Sequence, residues 1–157
     1  MEEELNEIEK ISDKEDGSQF IRFLKASLNL PETDIKTYSP LTLAFIGDSI
    51  FDLIIRTAIV EIGNAPVNKL HKRASKLVQA SAQADLYHLI KEQLTEEETV
   101  IFKRGRNAKS FTTAKNAGVL EYRTATGMEA LVGYLYLTDQ MNRLIELIRP
   151  HIEKELN

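Results

Sequence analysis

The stretch LAFIGDSIF, residues 43–51, is the most apolar part of the 157-residue chain and carries a single carboxylate, Asp48, near its centre. A Ser-Pro pair precedes it, which supplies an N-cap followed by proline at the first helical position. A Gly-Asn pair ends the apolar run, so the pattern predicts one long, buried helix from residue 40 to about Ile62. An unpaired carboxylate in such a helix is costly to desolvate, so Asp48 must be paired, bind a metal or lie on an open face.

A second apolar stretch, MEALVGYLYL, also carries one lone acid, Glu129. Gly47 and Gly133 would each let another helix approach closely. Two carboxylates facing each other across a helix crossing could hold a hard divalent cation through oxygen ligands and waters, the usual arrangement for Mg²⁺. The alternative is a pair of structural acids, each bound to an arginine such as Arg56 or Arg123.

Apolar residues at helical spacing predict six further helices. Ser81 is the predicted N-cap of one of them, and Thr95 opens the next with a capping box to Glu98. No run shows sustained strand alternation, so we predict an all-α fold, a bundle of about seven helices. The six ranges are 18–30, 67–78, 82–94, 96–104, 124–138 and 139–156.

Composition excludes several classes of protein. The absence of cysteine excludes disulfide frameworks, thiol nucleophiles, zinc ribbons and iron–sulfur clusters, and three scattered histidines argue against a histidine zinc site. The first sixteen residues are acidic, unlike the basic start of a secretory signal peptide. No apolar run approaches the roughly 20 residues that a membrane span requires. We therefore expect a cytoplasmic protein with no membrane partner.

The net charge of −4 is unevenly distributed. Residues 1–16 hold eight acids against two lysines, a local charge of −6 that leaves +2 for the remainder. We predict a flexible acidic extension over residues 1–17 and one helical domain over residues 18–157. Basic groups cluster within that domain, which favours a polyanionic ligand; two solvated helical faces are the alternative. The clusters are Lys69, Lys72, Arg73 and Lys76, and Lys103, Arg104, Arg106, Lys109, Lys115 and Arg123.

Helical periodicity is lost between Gly105 and about Leu120. A polar loop of this length in a compact helical domain is usually functional or disordered. Because it is basic, we predict that Arg106, Lys109 and Lys115 bind phosphates there. A surface loop with incidental charge is the alternative.

The two acidic motifs resemble those of the ribonuclease III family. FIGDSI at residues 45–50 resembles the signature helix, whose usual form is LEFLGD(S/A)VL. ATGMEALVGYLYL at residues 125–137 resembles the second motif, ADxLEAxIGAIYLD, and the two occur in the expected order. Ala44 and Thr126 stand where the family usually has acids. Only one more helix follows before the last residue, so we expect no double-stranded-RNA-binding domain, and the chain is most similar to the Mini-III group of the family.

The resemblance implies a ribonuclease III-like endonuclease domain that acts as a Mg²⁺-dependent endoribonuclease on double-stranded RNA. Its homodimer would mature the 5′ and 3′ ends of the large-subunit (23S) ribosomal RNA precursor, with a ribosomal protein as a possible further partner. Asp48 and Glu129 carry over by position as catalytic and metal-binding acids. Asp52 has no counterpart in the usual signature.

The same resemblance assigns two surfaces. We expect Phe45, Ile46 and Phe51 at a two-fold interface, or else in the core of their own chain. The expected RNA-binding residues are Arg104, Arg106, Lys109, Lys115, Lys69, Lys72 and Arg73.

Two alternative functions remain open. One is a catalytically inactive double-stranded-RNA-binding paralogue acting in ribosome assembly, and the other is a helical protein-interaction domain.

Overall fold

The computed structural model describes residues 19–108 and 118–156 and contains no strand within these ranges. Seven helices and two short 3₁₀ turns, Ile35–Thr37 and Lys91–Gln93, account for most of these residues. The predicted all-α fold is therefore confirmed. The helices are α1 Gln19–Ser27, α2 Pro40–Ile62, α3 Val67–Val78, α4 Ala80–Ile90, α5 Glu96–Asn107, α6 Gly118–Leu137 and α7 Met141–Leu156.

The centre of the fold is the crossing of α2 and α6, which form the most extensive contact between any two described helices. A Cβ atom on Gly47 would overlap the carbonyl oxygen of Glu129, and one on Gly133 would overlap that of Leu43. The two backbones are thus in direct contact at both glycines. This confirms the close approach that the sequence predicted, and it places the two lone acids at the same crossing.

Phe51 belongs to the core of its own chain. Its side chain is 2% exposed, and its ring centroid lies 6.2 Å from that of the buried His151 on α7. Nε2 of His151 is in turn 3.0 Å from the carbonyl oxygen of Leu77, so α7 is joined to the end of α3. The expectation that Phe51 contributes to a dimer interface is wrong, because this face of α2 is already covered.

Local capping signals located two helix starts correctly. The Ser39 hydroxyl accepts a hydrogen bond from the Leu41 amide, and Thr95 and Glu98 form the reciprocal capping box. Ser81, by contrast, lies inside α4, because the extended Gln79 is the N-cap and its carbonyl accepts the first helical hydrogen bond, from Gln83.

The predicted basic loop is shorter than expected. α5 continues to Asn107, and α6 begins at Gly118, six residues before the predicted start. Gly105 does not end a helix; it is buried, and a Cβ there would lie 2.8 Å from that of Ala130. Arg106 is therefore helical. Lys109 and Lys115, like the acidic extension over residues 1–17, lie outside the described residues.

No helix in the described part of the chain is long and apolar enough to cross a membrane.

Candidate functional site

Asp48 on α2 and Glu129 on α6 face each other across the helix crossing. Asp48 is exposed and Glu129 is half-buried. Burial, and secondarily the negative charge of Asp48, raise the pKa of Glu129 to about 7, against the opposing effect of a hydrogen bond from Gln83. The influence of Asp48 on this pKa shows that the two carboxylates are close enough to interact electrostatically, and a shared metal site stays a prediction.

Neither acid is neutralised by a cationic side chain. Among the described residues, no lysine, arginine or histidine forms an ion pair with Asp48 or Glu129. Asp52, one turn after Asp48, behaves differently, because its carboxylate lies 2.9 Å from Nε of Arg56. Asp52, whose role the sequence left open, is thus paired with Arg56, whereas Asp48 and Glu129 have no cationic partner among the described residues.

The third side chain at the site is Gln83 of α4, which sequence reasoning missed. Its Nε2 donates hydrogen bonds to Oε1 of Glu129 at 3.1 Å and to the carbonyl oxygen of Val78 at 2.9 Å. A signal was available in the sequence, since Gln83 is a polar residue between Ala82 and Ala84 on a helix that packs against α6. Nothing in the sequence related it to Glu129, 46 residues away.

The oxygen atoms of this site suit a divalent cation that keeps much of its hydration shell. Within residues 19–108 and 118–156, no group of three or more acids, histidines or cysteines converges on one point. Ala44 is buried, and the Thr126 hydroxyl donates to the carbonyl oxygen of Tyr122, so neither position supplies a carboxylate. Two carboxylates plus waters fit Mg²⁺, which is commonly bound through one or two acids.

The expected RNA-binding residues fall into two groups. Lys69, Lys72 and Arg73 are exposed on α3. Arg104 and Arg106 are half-buried on α5, where Nη2 of Arg104 donates to the carbonyl oxygen of Tyr38 at 3.2 Å. Arg104 therefore also has a structural contact within the chain.

The guanidinium of Arg106 packs over one of two stacked aromatic rings. Tyr87 and Phe102 stack with their centroids 3.8 Å apart and their planes 10° apart. Cζ of Arg106 lies 5.8 Å from the Phe102 centroid, a distance typical of a cation–π contact. The stack restrains Arg106 at the last turn of α5.

The outer face of α2 carries several exposed apolar side chains beside Asp48, Asp52 and Arg56. Phe45 is 79% exposed, the highest value among the large hydrophobic side chains that the structure describes. Ile46 is half-buried and packs against the core. Leu41, Leu53 and Val60 are also exposed and continue the same helix. Exposed apolar side chains that form a contiguous patch are typical of interaction surfaces, so this face stays the candidate for the predicted two-fold interface.

Known proteins match this architecture over most of the chain. The Ribonuclease III domain family matches residues 41–140. The protein named Mini-ribonuclease 3 from Enterococcus faecalis is 52% identical over 123 residues, which cover 77% of this chain and 93% of that protein. Mini-ribonuclease 3 from a Thermoanaerobacter species is 47% identical over 131 residues, which cover 83% of this chain and 92% of that protein.

A crystal structure of a protein from Fusobacterium nucleatum has the same fold, with a TM-score of 0.71 and 35% sequence identity. The match covers 78% of this chain and 99% of that one. The family match includes both Asp48 and Glu129. On these matches, the chain belongs to the ribonuclease III family and is similar to the proteins named Mini-ribonuclease 3 over most of its length.

Proposed function

We propose that the chain cleaves double-stranded RNA with Mg²⁺ held by Asp48 and Glu129, and that it matures the ends of the 23S ribosomal RNA precursor. Membership of the family already indicates that the chain is an endoribonuclease of the ribonuclease III type. One observation carries the proposal: at the helix crossing, Asp48 influences the pKa of Glu129, and neither carboxylate has a cationic partner within residues 19–108 and 118–156. A cytoplasmic location accords with such a substrate.

Three side chains of the site would position the cation and one of its ligands. Asp48 and Glu129 would hold the cation, and Gln83 fixes the Glu129 carboxylate through its amide nitrogen. When bound, Mg²⁺ activates a water for attack on the phosphodiester and neutralises charge that develops on the phosphate. No side-chain nucleophile is required.

The basic groups would bind the duplex. A-form RNA presents phosphates and 2′-hydroxyls more readily than base edges, so charge and shape dominate its recognition. Seven basic residues are proposed to contact phosphates. They are Lys69, Lys72 and Arg73 on α3, Arg104 and Arg106 on α5, and Lys109 and Lys115. The restrained guanidinium of Arg106 loses little side-chain entropy on binding.

The proposal is tested by incubating the protein with a duplex stem of precursor ribosomal RNA, in Mg²⁺ or in EDTA. We expect both strands to be cut in Mg²⁺ and neither in EDTA, while a single strand of the same sequence stays intact. A duplex of equal length and unrelated sequence should also be cut, because charge and shape dominate recognition, and cleavage of the precursor stem at the mature 23S ends would support the maturation role. Tight duplex binding without cleavage would favour the inactive paralogue instead.

A homodimer through the outer face of α2 is part of the proposal, and Phe45→Glu tests it. Each Phe side chain buried in the interface contributes roughly 1.5–3 kcal/mol to the free energy of dimerisation, and a two-fold symmetric dimer buries two of them. The dimer dissociation constant should therefore rise at least about 100-fold. Sedimentation measures the change. Leu120→Glu alters an equally apolar, exposed position on α6 and should leave the dimer intact. A wild-type protein that sediments as a monomer would contradict the homodimer.

A further inference from the structure

Gln83 is a buried amide whose orientation is determined by its neighbours. The residue is 3% exposed, and its Nε2 lies within hydrogen-bonding distance of Glu129 Oε1 and the Val78 carbonyl oxygen. Both neighbours are acceptors, so the NH₂ group, and not the amide oxygen, must face them. The Glu129 carboxylate is therefore held by a donor that is itself anchored to the backbone between α3 and α4.

The other half of this amide has no partner. Oε1 of Gln83 is buried and accepts no hydrogen bond from any group in the part of the chain that the structure describes. A buried acceptor without a donor is unfavourable, and such atoms in native structures call for a ligand, a water or a functional reason. Because it shares a carbon with the nitrogen that contacts Glu129, this oxygen lies close to the Glu129 carboxylate.

The hydrogen bond to the Val78 carbonyl oxygen gives the amide nitrogen of Gln83 a structural role, but it does not account for the buried amide oxygen. α4 packs against α6, and the neighbouring Ala82, Ala84 and Leu86 are all buried and apolar. A methionine would fill a similar volume without burying an unpaired oxygen. Sequences break such local rules mainly at functional sites.

The carboxylates at this site are few, since Ala44 and Thr126 offer none. We propose that Gln83 is a positioning residue of the metal site. Its amide nitrogen fixes the orientation of Glu129, and its amide oxygen accepts a hydrogen bond from a water that accompanies the divalent cation. This inference rests on the proposed function, because it requires a cation between Asp48 and Glu129.

Gln83→Met tests the inference through cation binding, with the full-length protein and Mn²⁺ as the probe. Titration followed by the electron paramagnetic resonance signal of free Mn²⁺ should give an affinity about 10–100-fold weaker than that of the wild type. The Mg²⁺ concentration for half-maximal cleavage should rise by a similar factor, while the KM for duplex RNA stays unchanged. Gln79→Met, the same change at an exposed position one turn earlier, should leave Mn²⁺ affinity within twofold.

Gln83→Glu is the second variant and decides the matter if the methionine variant does not fold. This change replaces the donor to Glu129 by a carboxylate of the same size, so the Mn²⁺ affinity should change by more than about threefold. A side chain remote from the cation would leave the affinity unchanged and overturn the inference. Wild-type affinity in Gln83→Met would overturn it as well, and the proposed function would stand if Asp48→Asn still abolished binding. A wild-type protein that binds no Mn²⁺ would overturn both.

Discussion

Replacing Asp48 by asparagine is expected to abolish cleavage of duplex RNA and, in the absence of metal, to make the protein more stable. Loss of one of the two carboxylates removes a ligand of the cation that stabilises the transition state by several kcal/mol, so cleavage should fall at least about 10³-fold. The folded protein gains stability because the negative charge of Asp48 is one of the causes that raise the pKa of Glu129. Opposite signs for activity and stability are typical of residues retained for function.

The pH dependence of stability follows from the same pair. The pKa of Glu129 is about 7 in the folded protein, above its ordinary value of 4.5, so the folded state binds the proton more tightly. The wild-type free energy of unfolding should therefore fall as the pH rises from about 4.5 to 7, by up to roughly 3 kcal/mol. Glu129→Gln should remove this decline, and Asp48→Asn should reduce it. Chemical denaturation at pH 5 and pH 8 without metal measures the difference.

Asp52→Asn is the matched control for Asp48→Asn. The same substitution one turn later on α2 removes a carboxylate that is already paired with Arg56, so cleavage should be retained and stability should change by less than about 1 kcal/mol. Adding Mg²⁺ should raise the stability of the wild type and of Asp52→Asn, but not of Asp48→Asn. Cleavage by Asp48→Asn at the wild-type rate would remove Asp48 from the site.

Much of this fold could be predicted because its signals are local. The cap at Ser39 and the capping box at Thr95 depend on residues within one turn, and both appear where the sequence placed them. The α2–α6 crossing was also predictable, because Gly47 and Gly133 interrupt two otherwise apolar helices. The same two helices carry Asp48 and Glu129. Both acids could be chosen as candidate site residues because each stands out within the apolar pattern of its own helix.

Features that depend on contacts between elements were not predictable in this way. Gly105 suggested a helix end, but it is a packing residue because α6 passes directly over it. Phe51 and Phe45 belong to the same apolar stretch, yet Phe51 faces the core and Phe45 faces solvent, because the neighbouring helices cover only one side of α2. Gln83 gained its relation to Glu129 only when α4 folded against α6.

The second large effect is expected for Glu98→Ala, which breaks the only ion pair of the described residues whose acid is buried. Glu98 is 4% exposed, and its two oxygens accept hydrogen bonds from Nη2 and Nε of Arg143 at 2.8 and 2.9 Å. Its Oε1 also accepts from the Thr95 amide at 2.9 Å, so one side chain both caps α5 and joins it to α7. Removing one partner of a buried pair costs about 3–5 kcal/mol when the other charge is left unpaired. Arg143 keeps an ion pair with Glu146 at 3.3 Å and a hydrogen bond to the Gln93 carbonyl oxygen, so we expect a loss near the lower end, about 3 kcal/mol.

The hydrogen bond from Arg143 lowers the pKa of Glu98, and this gives the prediction a pH signature. A carboxyl whose pKa is lowered by folding stabilises the protein above its ordinary value near 4.5, and the contribution is lost as the pH falls through the folded-state pKa. The stability difference between wild type and Glu98→Ala should therefore be full at pH 7 and shrink in acid. Thermal unfolding at pH 7 should show a Tm lower by roughly 10 °C.

Two further variants make this result decisive. Glu96→Ala removes an exposed acid from the same helical turn and should cost less than about 1 kcal/mol, since it affects only the helix dipole. The double variant Glu98→Leu with Arg143→Leu should be more stable than Glu98→Ala, because apolar side chains fill the contact between α5 and α7 and no partly buried guanidinium loses its main partner. The double variant could instead lose as much stability as the separate replacements of Glu98 and Arg143 together. The pair would then stabilise the fold through packing and not through charge, and the stability difference between wild type and Glu98→Ala would not depend on pH.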